Sequence, residues 1–223
     1  MQKMFCEKGD VPLNKSDLNY SLYLVTDGGT KNIDALCQKV EQAIGGGVTL
    51  VQLREKTATS GEFYEVALRI KAITDRQGIP LIINDRLDIA LAVDAAGLHI
   101  GQEDLPVAVA RKLLGPGKIL GVTAATPGDA VKAQNDGADY LGSGAVYPTV
   151  TKPGKAILSM AVLSQIKQAV TIPVVAIGGI TAENLSPVRQ AGVDGVAVVS
   201  AVLDSVDPGA AARELIELWT EKQ

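Results

Sequence analysis

The chain has 223 residues, 47% of them hydrophobic, with a formal net charge of −4 and a pI of about 5.1. Such a chain has no overall positive field to attract nucleic acid or an anionic membrane, so we expect neither as a partner. Residues 1–19 lack the apolar core of a signal peptide, and no apolar run reaches membrane-spanning length. We expect a cytoplasmic protein and leave its oligomeric state open, with a homo-oligomer among the options.

From Ser21 onward, short β-branched runs alternate with longer segments of helical periodicity, which is typical of parallel strands joined by helices. Most of the short runs are apolar on both faces, as expected for strands covered on both sides. We predict one (β/α)8 TIM barrel over residues 20–223, preceded by a short N-terminal extension over residues 1–19. The eight predicted strands cover residues 21–27, 48–54, 80–85, 97–101, 118–124, 139–144, 173–179 and 195–200.

Glycine marks four of the predicted helix-to-strand junctions. They read AIGGGVTLVQL (43–53), DAAGLHIG (94–101), NDGADYLG (135–142) and QAGVDGVAVV (190–199). We expect glycine to end each preceding helix in the left-handed conformation. The clearest helical periodicity covers residues 59–77.

Polar side chains gather where the predicted strands end. In a (β/α)8 barrel these ends form one mouth, where the chemistry takes place. Charged residues such as Arg54 and Lys56, taken singly, are better explained by a solvated surface. Their recurrence at successive strand ends favours a functional site. The strand-end residues are Gln52, Arg54, Glu55, Lys56, Asn84, Asp85, Gln102, Glu103, Asp104, Thr123, Thr149, Thr151, Lys152, Gly178, Gly179 and Ser200.

The segment GAVYPTVTKPG, residues 144–154, is a glycine-flanked loop that follows the sixth predicted strand. Backbone N–H groups and short hydroxyl side chains can surround phosphate oxygens, and a lysine adds a mobile positive charge. We interpret this loop, with Thr149, Thr151 and Lys152, as an anion-binding loop. The alternative is an ordinary surface turn.

Asp85 and Asp104 follow neighbouring parallel strands, which would bring their carboxylates to the same part of the mouth. Mg²⁺ prefers oxygen ligands and commonly combines one or two protein carboxylates with phosphate oxygens and water. We therefore predict a magnesium site at this pair. The alternative for Asp85 is a cap on the helix that follows it.

A second anion site is predicted after the seventh and eighth strands. Gly178, Gly179 and the start of the next helix would direct backbone N–H groups outward, and Val199 and Ser200 would complete the pocket. This pocket has no lysine or arginine, so it suits a phosphate that serves as a handle. The other side of the mouth, with Arg54, Lys56, Lys152 and the predicted magnesium ion, is the cationic side. It suits a departing pyrophosphate, because fixed positive charges stabilise the charge that develops.

Several other chemistries lack their sequence motifs. His99, the only histidine, lies between Leu98 and Ile100 in a predicted strand, which favours a packed residue over a catalytic base. A histidine-centred nucleophilic triad is therefore excluded. No GxGxxG follows the first strand and no Walker motif is present, so dinucleotide and P-loop chemistry are unsupported.

Seven ordered motifs together resemble the thiamine phosphate synthase family over nearly the whole predicted barrel. The resemblance implies a magnesium-dependent transferase that joins hydroxymethylpyrimidine diphosphate to hydroxyethylthiazole phosphate or its carboxylated form, releasing pyrophosphate. It also implies a dissociative mechanism, in which pyrophosphate leaves before the thiazole nitrogen captures a pyrimidine methylene cation. The motifs are QLREK (52–56), ND (84–85), GLHIGQEDLP (97–106), LGVTAAT (120–126), YPTVTK (147–152), AIGGI (176–180) and VVSA (198–201).

The resemblance also implies roles for individual residues. Arg54, Lys56 and Lys152 would be the catalytic cations, and Asp85 and Asp104 would bind magnesium. The pyrimidine diphosphate would contact Gln52, Leu53, Arg54, Glu55, Lys56, Asn84, Thr123 and Lys152. The thiazole phosphate would contact Thr149, Val150, Thr151, Gly179, Val199 and Ser200.

The chain departs from the usual family pattern, with Thr123 in place of serine, Ala125 in place of histidine and Ala145 in place of proline. Threonine keeps the hydroxyl group, so we expect function to survive. The missing histidine speaks against the activity of the related thiazole tautomerase. A tautomerase or isomerase and a non-catalytic ligand-binding barrel remain as alternatives, and only the transferase requires pyrophosphate release.

Overall fold

The structure is a computed structural model that describes residues 15–27, 32–149 and 156–221. Eight parallel strands form a closed barrel in sequence order, which confirms the predicted (β/α)8 barrel. Each strand lies within the range predicted for it. The strands are β1 Leu22–Val25, β2 Leu50–Leu53, β3 Leu81–Asn84, β4 Gly97–Ile100, β5 Ile119–Thr123, β6 Tyr140–Gly144, β7 Val174–Ile177 and β8 Gly195–Val198.

Helices cover the outside of the barrel. The predicted helix over residues 59–77 is confirmed by a helix at Ser60–Gln77. A capping box between Thr59 and Glu62 starts it, and Gly78, with φ of 67°, caps its C-terminal end. Within the described ranges, no helix has both the length and the apolar character needed to cross a membrane. The helices are α1 Ile33–Gly45, α2 Ser60–Gln77, α3 Leu87–Ala92, α4 Val107–Leu114, α5 Pro127–Asn135, α6 Met160–Ala169, α7 Leu185–Gln190, α8 Ser200–Leu203 and α9 Pro208–Thr220.

The predicted glycine junctions are confirmed at three positions and wrong at the fourth. Gly47, Gly137 and Gly192 have φ between 81° and 114° and follow their helices as expected. At the junction before β4, the left-handed residue is Asp94, with φ of 52°, and Gly97 belongs to the strand. Gly97 serves close packing instead, because a Cβ there would lie 2.3 Å from the carbonyl oxygen of Ile119.

Tyrosine rings and aliphatic side chains fill the barrel interior, and the residues between them along each strand face the helices. At the amino-terminal end, Leu18 packs against this interior, and Lys15 donates to the Asp139 carboxylate at 3.0 Å. The segment 15–19 therefore contacts the amino-terminal end of the barrel. The predicted boundary between the N-terminal extension and the barrel at residue 19 stays a prediction. The buried apolar residues of the interior are Tyr20, Tyr23, Val25, Leu50, Ile82, Ile119, Tyr140, Val175 and Ala197.

Gly121 on β5 leaves the space that the Tyr140 ring occupies. A Cβ at Gly121 would lie 2.2 Å from Tyr140 Cζ, so Gly121→Ala must displace a buried ring. We expect this change to lower the free energy of unfolding by about 1–3 kcal/mol, the usual cost of overpacking a core. Urea denaturation measures the effect. The control is Gly61→Ala in α2, where no atom lies within 4 Å of the new Cβ, and an equal midpoint for the two variants would contradict the prediction.

Candidate active site

Arg54 projects from the end of β2 and is anchored by neighbouring backbone. Its N–H donates to Thr26 Oγ1 at 2.9 Å, and its Nη1 donates to the Asp27 carbonyl at 2.8 Å. Its Nε is buried and has no hydrogen-bond partner in the part of the chain that the structure describes. A buried guanidinium donor without a partner is unfavourable, and a phosphate oxygen is the kind of acceptor that it matches.

Two other residues predicted to contact the diphosphate direct their side chains elsewhere. Leu53 is buried among the residues that face the helices, so only its backbone could reach a ligand at the mouth. Glu55 Oε1 accepts hydrogen bonds from the backbone N–H groups of Lys56 and Thr57, at 2.7 and 2.8 Å. The Glu55 carboxylate therefore shapes the loop that presents Lys56.

The structure brings Lys56, Asp85 and Asp104 together at the mouth. Lys56 Nζ forms an ion pair with Asp85 Oδ2, and Asp104 Oδ2 accepts the Gly101 N–H at 2.7 Å. Partial burial raises the pKa of the Asp104 carboxyl above its ordinary value, and the adjacent Asp85 carboxylate raises it further by hydrogen bonding and charge. The adjacency of the two aspartates, predicted from the strand order, is therefore present.

The chemistry of this pair fits a hard divalent cation. Two neighbouring carboxylates repel each other unless positive charge lies nearby, and here the Lys56 ammonium supplies some of it. Two carboxylates are also what Mg²⁺ commonly takes from a protein when phosphate oxygens complete its shell. The alternative function of Asp85 was a helix cap, and the N-cap position of α3 is held by Arg86, one residue after Asp85.

An interior hydrogen-bond chain crosses the barrel below the mouth and joins Gln52 to Thr123. Gln52 Nε2 donates to Tyr23 Oη at 2.9 Å, and Tyr23 Oη lies 2.8 Å from Tyr140 Oη. Tyr140 Oη lies 2.9 Å from His99 Nδ1, and His99 Nε2 lies 3.1 Å from Thr123 Oγ1. His99 is therefore a packed residue, as predicted. The hydrogen bonds that Tyr23 and Tyr140 contribute to this chain were not predicted from the sequence.

Asn84 is buried at the end of β3, where the sheet register pairs it with His99. It thus lies on the same side of the mouth as Asp85, beside the interior hydrogen-bond chain. The predicted contacts of the pyrimidine diphosphate that lie within the described residues are therefore found at the ends of four adjacent strands, β2 to β5.

The loops after β6 and β7 pack closely on each other. The Tyr147 N–H donates to the Gly178 carbonyl at 3.0 Å, and Gly178 and Gly179 have φ of 107° and 65°. A Cβ at Gly179 would lie 2.4 Å from the Pro148 carbonyl oxygen. Thr149 follows directly in the chain, so it lies near Gly179. Val150, Thr151 and Lys152 lie outside the described residues.

Val199 and Ser200 follow β8, which pairs with β7. Val199 is half-buried against the interior, and Ser200 is exposed at the first position of the short helix α8. These residues and Gly179 therefore lie at neighbouring strand ends. The β1 strand separates this neutral side of the mouth from Arg54 and Lys56 on the β2 side.

The fold and the placement of these groups define a (β/α)8-barrel protein with a polar site at the carboxyl ends of its strands. The family model for thiamine monophosphate synthase matches residues 22–202. The thiamine-phosphate synthase of Ruminiclostridium cellulolyticum is 51% identical over 208 residues, covering 93% of this chain and 99% of that protein. The thiamine-phosphate synthase of Clostridium tetani is 52% identical over 209 residues, covering 94% and 100%.

A solved structure gives the same result. Thiamine phosphate pyrophosphorylase from Pyrococcus furiosus superposes with a TM-score of 0.80 at 37% identity, covering 89% of this chain and 95% of that chain. The chain therefore belongs to the thiamine monophosphate synthase family, and it is an enzyme of the transferase class. The resemblance found in the motifs is confirmed.

Proposed function

We propose that this chain joins hydroxymethylpyrimidine diphosphate to hydroxyethylthiazole phosphate and releases pyrophosphate as thiamine phosphate forms. With the carboxylated thiazole, the carboxylate would also leave, as carbon dioxide. The observation that carries the proposal is the asymmetry of the mouth. One side holds Arg54, Lys56 and two carboxylates, and the other consists of glycine loops and a serine without lysine or arginine in those motifs. Two phosphorylated substrates with different fates match such a mouth.

The cationic side would hold the diphosphate and stabilise its departure. The C–O bond to the pyrimidine methylene breaks, and the electron pair leaves with pyrophosphate. The gain of charge on that oxygen is stabilised most by fixed cations, for which Arg54 and Lys56 are present and Lys152 is predicted from the sequence. Asp85 and Asp104 would hold Mg²⁺, which supplies further positive charge to the phosphate oxygens.

No protein nucleophile is needed for this dissociative sequence. The electron-rich aminopyrimidine stabilises the methylene cation, and the thiazole nitrogen then forms the new C–N bond with its own lone pair. The enzyme has to hold the two reactants in contact and exclude water, which by itself accounts for a large part of a rate enhancement. His99, the only histidine, is buried within the interior hydrogen-bond chain.

The neutral side would hold the thiazole phosphate as a handle. The predicted contacts are Thr149, Gly179, Val199 and Ser200, together with Val150 and Thr151. Backbone N–H groups at glycine turns suit an anion that keeps its charge throughout the reaction. A cytoplasmic location also belongs to this proposal, since both substrates are small phosphorylated metabolites.

Pyrophosphate release tests the proposal against the two alternatives. The purified chain with Mg²⁺ should release pyrophosphate from the pyrimidine diphosphate at a rate that rises when the thiazole phosphate is added. A tautomerase would act on the thiazole alone, and a non-catalytic barrel would bind ligands without turnover. The exposed Ala125, in place of the usual histidine, already disfavours the tautomerase.

Ser200→Ala should raise the KM for the thiazole phosphate by about three- to tenfold, because one hydrogen bond to the phosphate is lost. The KM for the pyrimidine diphosphate should change by less than about twofold, as expected for a substitution that does not contact that substrate. Ser186→Ala, at an exposed position on α7, is the matched control. Gly179→Val is unsuitable for this test, since its side chain would collide with Pro148 before it met a ligand. A selective effect on the diphosphate would reverse the assignment of the two sides.

A further inference from the structure

We propose that Tyr23, Tyr140 and His99 form a one-way hydrogen-bond chain that presents Gln52 as an acceptor and Thr123 as a donor to the pyrimidine diphosphate. The three are positioning residues, since they act through the two residues at the ends. This inference rests on the proposed function for the identity of the ligand. The direction of the chain itself rests only on the contacts within the barrel.

The direction follows from counting hydrogens. Tyr23 Oη already accepts a hydrogen from Gln52 Nε2, so its own single hydrogen is available to Tyr140 Oη, 2.8 Å away. Tyr140 then has one hydrogen to donate, and it lies 2.9 Å from His99 Nδ1. Burial raises the pKa of both phenols above the ordinary value, which keeps both hydroxyl groups protonated.

The same count fixes the tautomer of His99. Because Nδ1 accepts from Tyr140, a neutral ring must carry its hydrogen on Nε2, which lies 3.1 Å from Thr123 Oγ1. His99 therefore donates to Thr123. If the hydrogen bonds ran in the opposite direction, Tyr23 Oη would accept from both Gln52 and Tyr140. The buried hydroxyl hydrogen of Tyr23 could then be donated to neither of them.

The two ends of the chain then have opposite characters. Gln52 donates one of its two amide hydrogens to Tyr23, which orients the amide, and its oxygen is the acceptor that it can offer to a ligand. Thr123 accepts from His99, so its own hydrogen is the one that it can donate toward the mouth. An aminopyrimidine diphosphate carries an amino donor at one position and ring nitrogens and ester oxygens as acceptors elsewhere, and it complements this pair.

Packing around the chain keeps these groups in place. A Cβ at Gly142 would lie 3.0 Å from His99 Cε1, and Gly121 leaves similarly little room beside Tyr140. Gln102 Nε2 donates to the Thr123 carbonyl, which fixes the backbone at the donor end. Neither His99 nor Tyr140 can therefore rotate far without meeting a neighbour.

Nitrogen NMR of the free protein tests the direction without any substrate. His99 is the only histidine of the chain, so tag-free protein labelled with ¹⁵N-histidine gives signals from one imidazole ring alone. We expect the Nε2-protonated neutral tautomer at neutral pH, with Nδ1 unprotonated. A ring protonated on Nδ1 alone, or on both nitrogens, would overturn the proposal. This result stands whether or not the protein makes thiamine phosphate.

Kinetics of Tyr140→Phe test whether the chain acts through Thr123. We expect the KM for the pyrimidine diphosphate to rise by about three- to tenfold, the effect of one lost hydrogen bond, with the KM for the thiazole phosphate unchanged. Tyr20→Phe is the control, because its ring centroid lies 5.1 Å from that of Tyr140 while its hydroxyl takes no part in the chain. In a Thr123→Val background, Tyr140→Phe should have no further effect on KM. Equal losses for both substrates, or additive losses in the double variant, would overturn the proposal.

Discussion

Replacing Asp85 or Asp104 by asparagine should lower turnover by about a hundredfold or more and leave the barrel folded, because each change removes a charged ligand from the proposed magnesium site. Asparagine keeps the size of the side chain and tolerates the positive φ of 60° at Asp85. It also retains an oxygen that can accept the Gly101 N–H at position 104. The loss should therefore appear in kcat at saturating substrates, with little change in the urea midpoint.

Two controls separate the metal from a general effect of charge. Asp88→Asn removes an exposed carboxylate that pairs with Arg86 near the same rim, and it should leave turnover nearly unchanged. Thorough chelation of the wild-type protein should abolish activity, and added Mg²⁺ should restore it. Wild-type turnover that survives chelation would contradict the assignment of Asp85 and Asp104.

Arg54→Lys should lower kcat/KM for the pyrimidine diphosphate by about ten- to a hundredfold, although the positive charge is kept. The guanidinium anchors itself to the Asp27 carbonyl through Nη1 and still has the buried Nε to offer. A lysine ammonium at the end of a flexible chain cannot reproduce this two-point geometry. Initial rates with each substrate varied in turn measure the effect.

The matched control for this prediction is Arg86→Lys. Arg86 also lies near the mouth, but it is bound to Asp88 and Ser60 on the surface, so the change should be almost neutral. Equal kcat/KM values for the Arg54→Lys variant and the wild type would show that the paired N–H donors of the Arg54 guanidinium do not hold the diphosphate.

The barrel and much of its mouth could be predicted because they depend on local patterns and strand order. Apolar runs separated by helical segments gave the strands, and consecutive parallel strands required Asp85 and Asp104 to be neighbours. The left-handed residue before β4 was missed, because a motif containing both Asp94 and Gly97 does not reveal which of them takes positive φ. Packing against Ile119 decides it.

The direction of individual side chains and the hydrogen bonds between distant residues could not be predicted from such patterns. Leu53 and Glu55 belong to a motif that resembles a ligand-binding segment, yet one faces the helices and the other holds its own loop. The bond between Tyr23 and Tyr140 joins residues 117 positions apart, and it forms only because the closed barrel brings β1 and β6 across from each other. An inward-facing tyrosine on a strand was the available signal.

Direct product analysis is the decisive measurement for the proposed function. The purified chain, incubated with Mg²⁺, hydroxymethylpyrimidine diphosphate and hydroxyethylthiazole phosphate, should form thiamine phosphate and pyrophosphate in equal amounts. Mass spectrometry would quantify the first product and an enzymatic assay the second. Omitting either substrate should abolish thiamine phosphate formation. Folded protein that binds both substrates but forms no thiamine phosphate with either the plain or the carboxylated thiazole would contradict the proposed function.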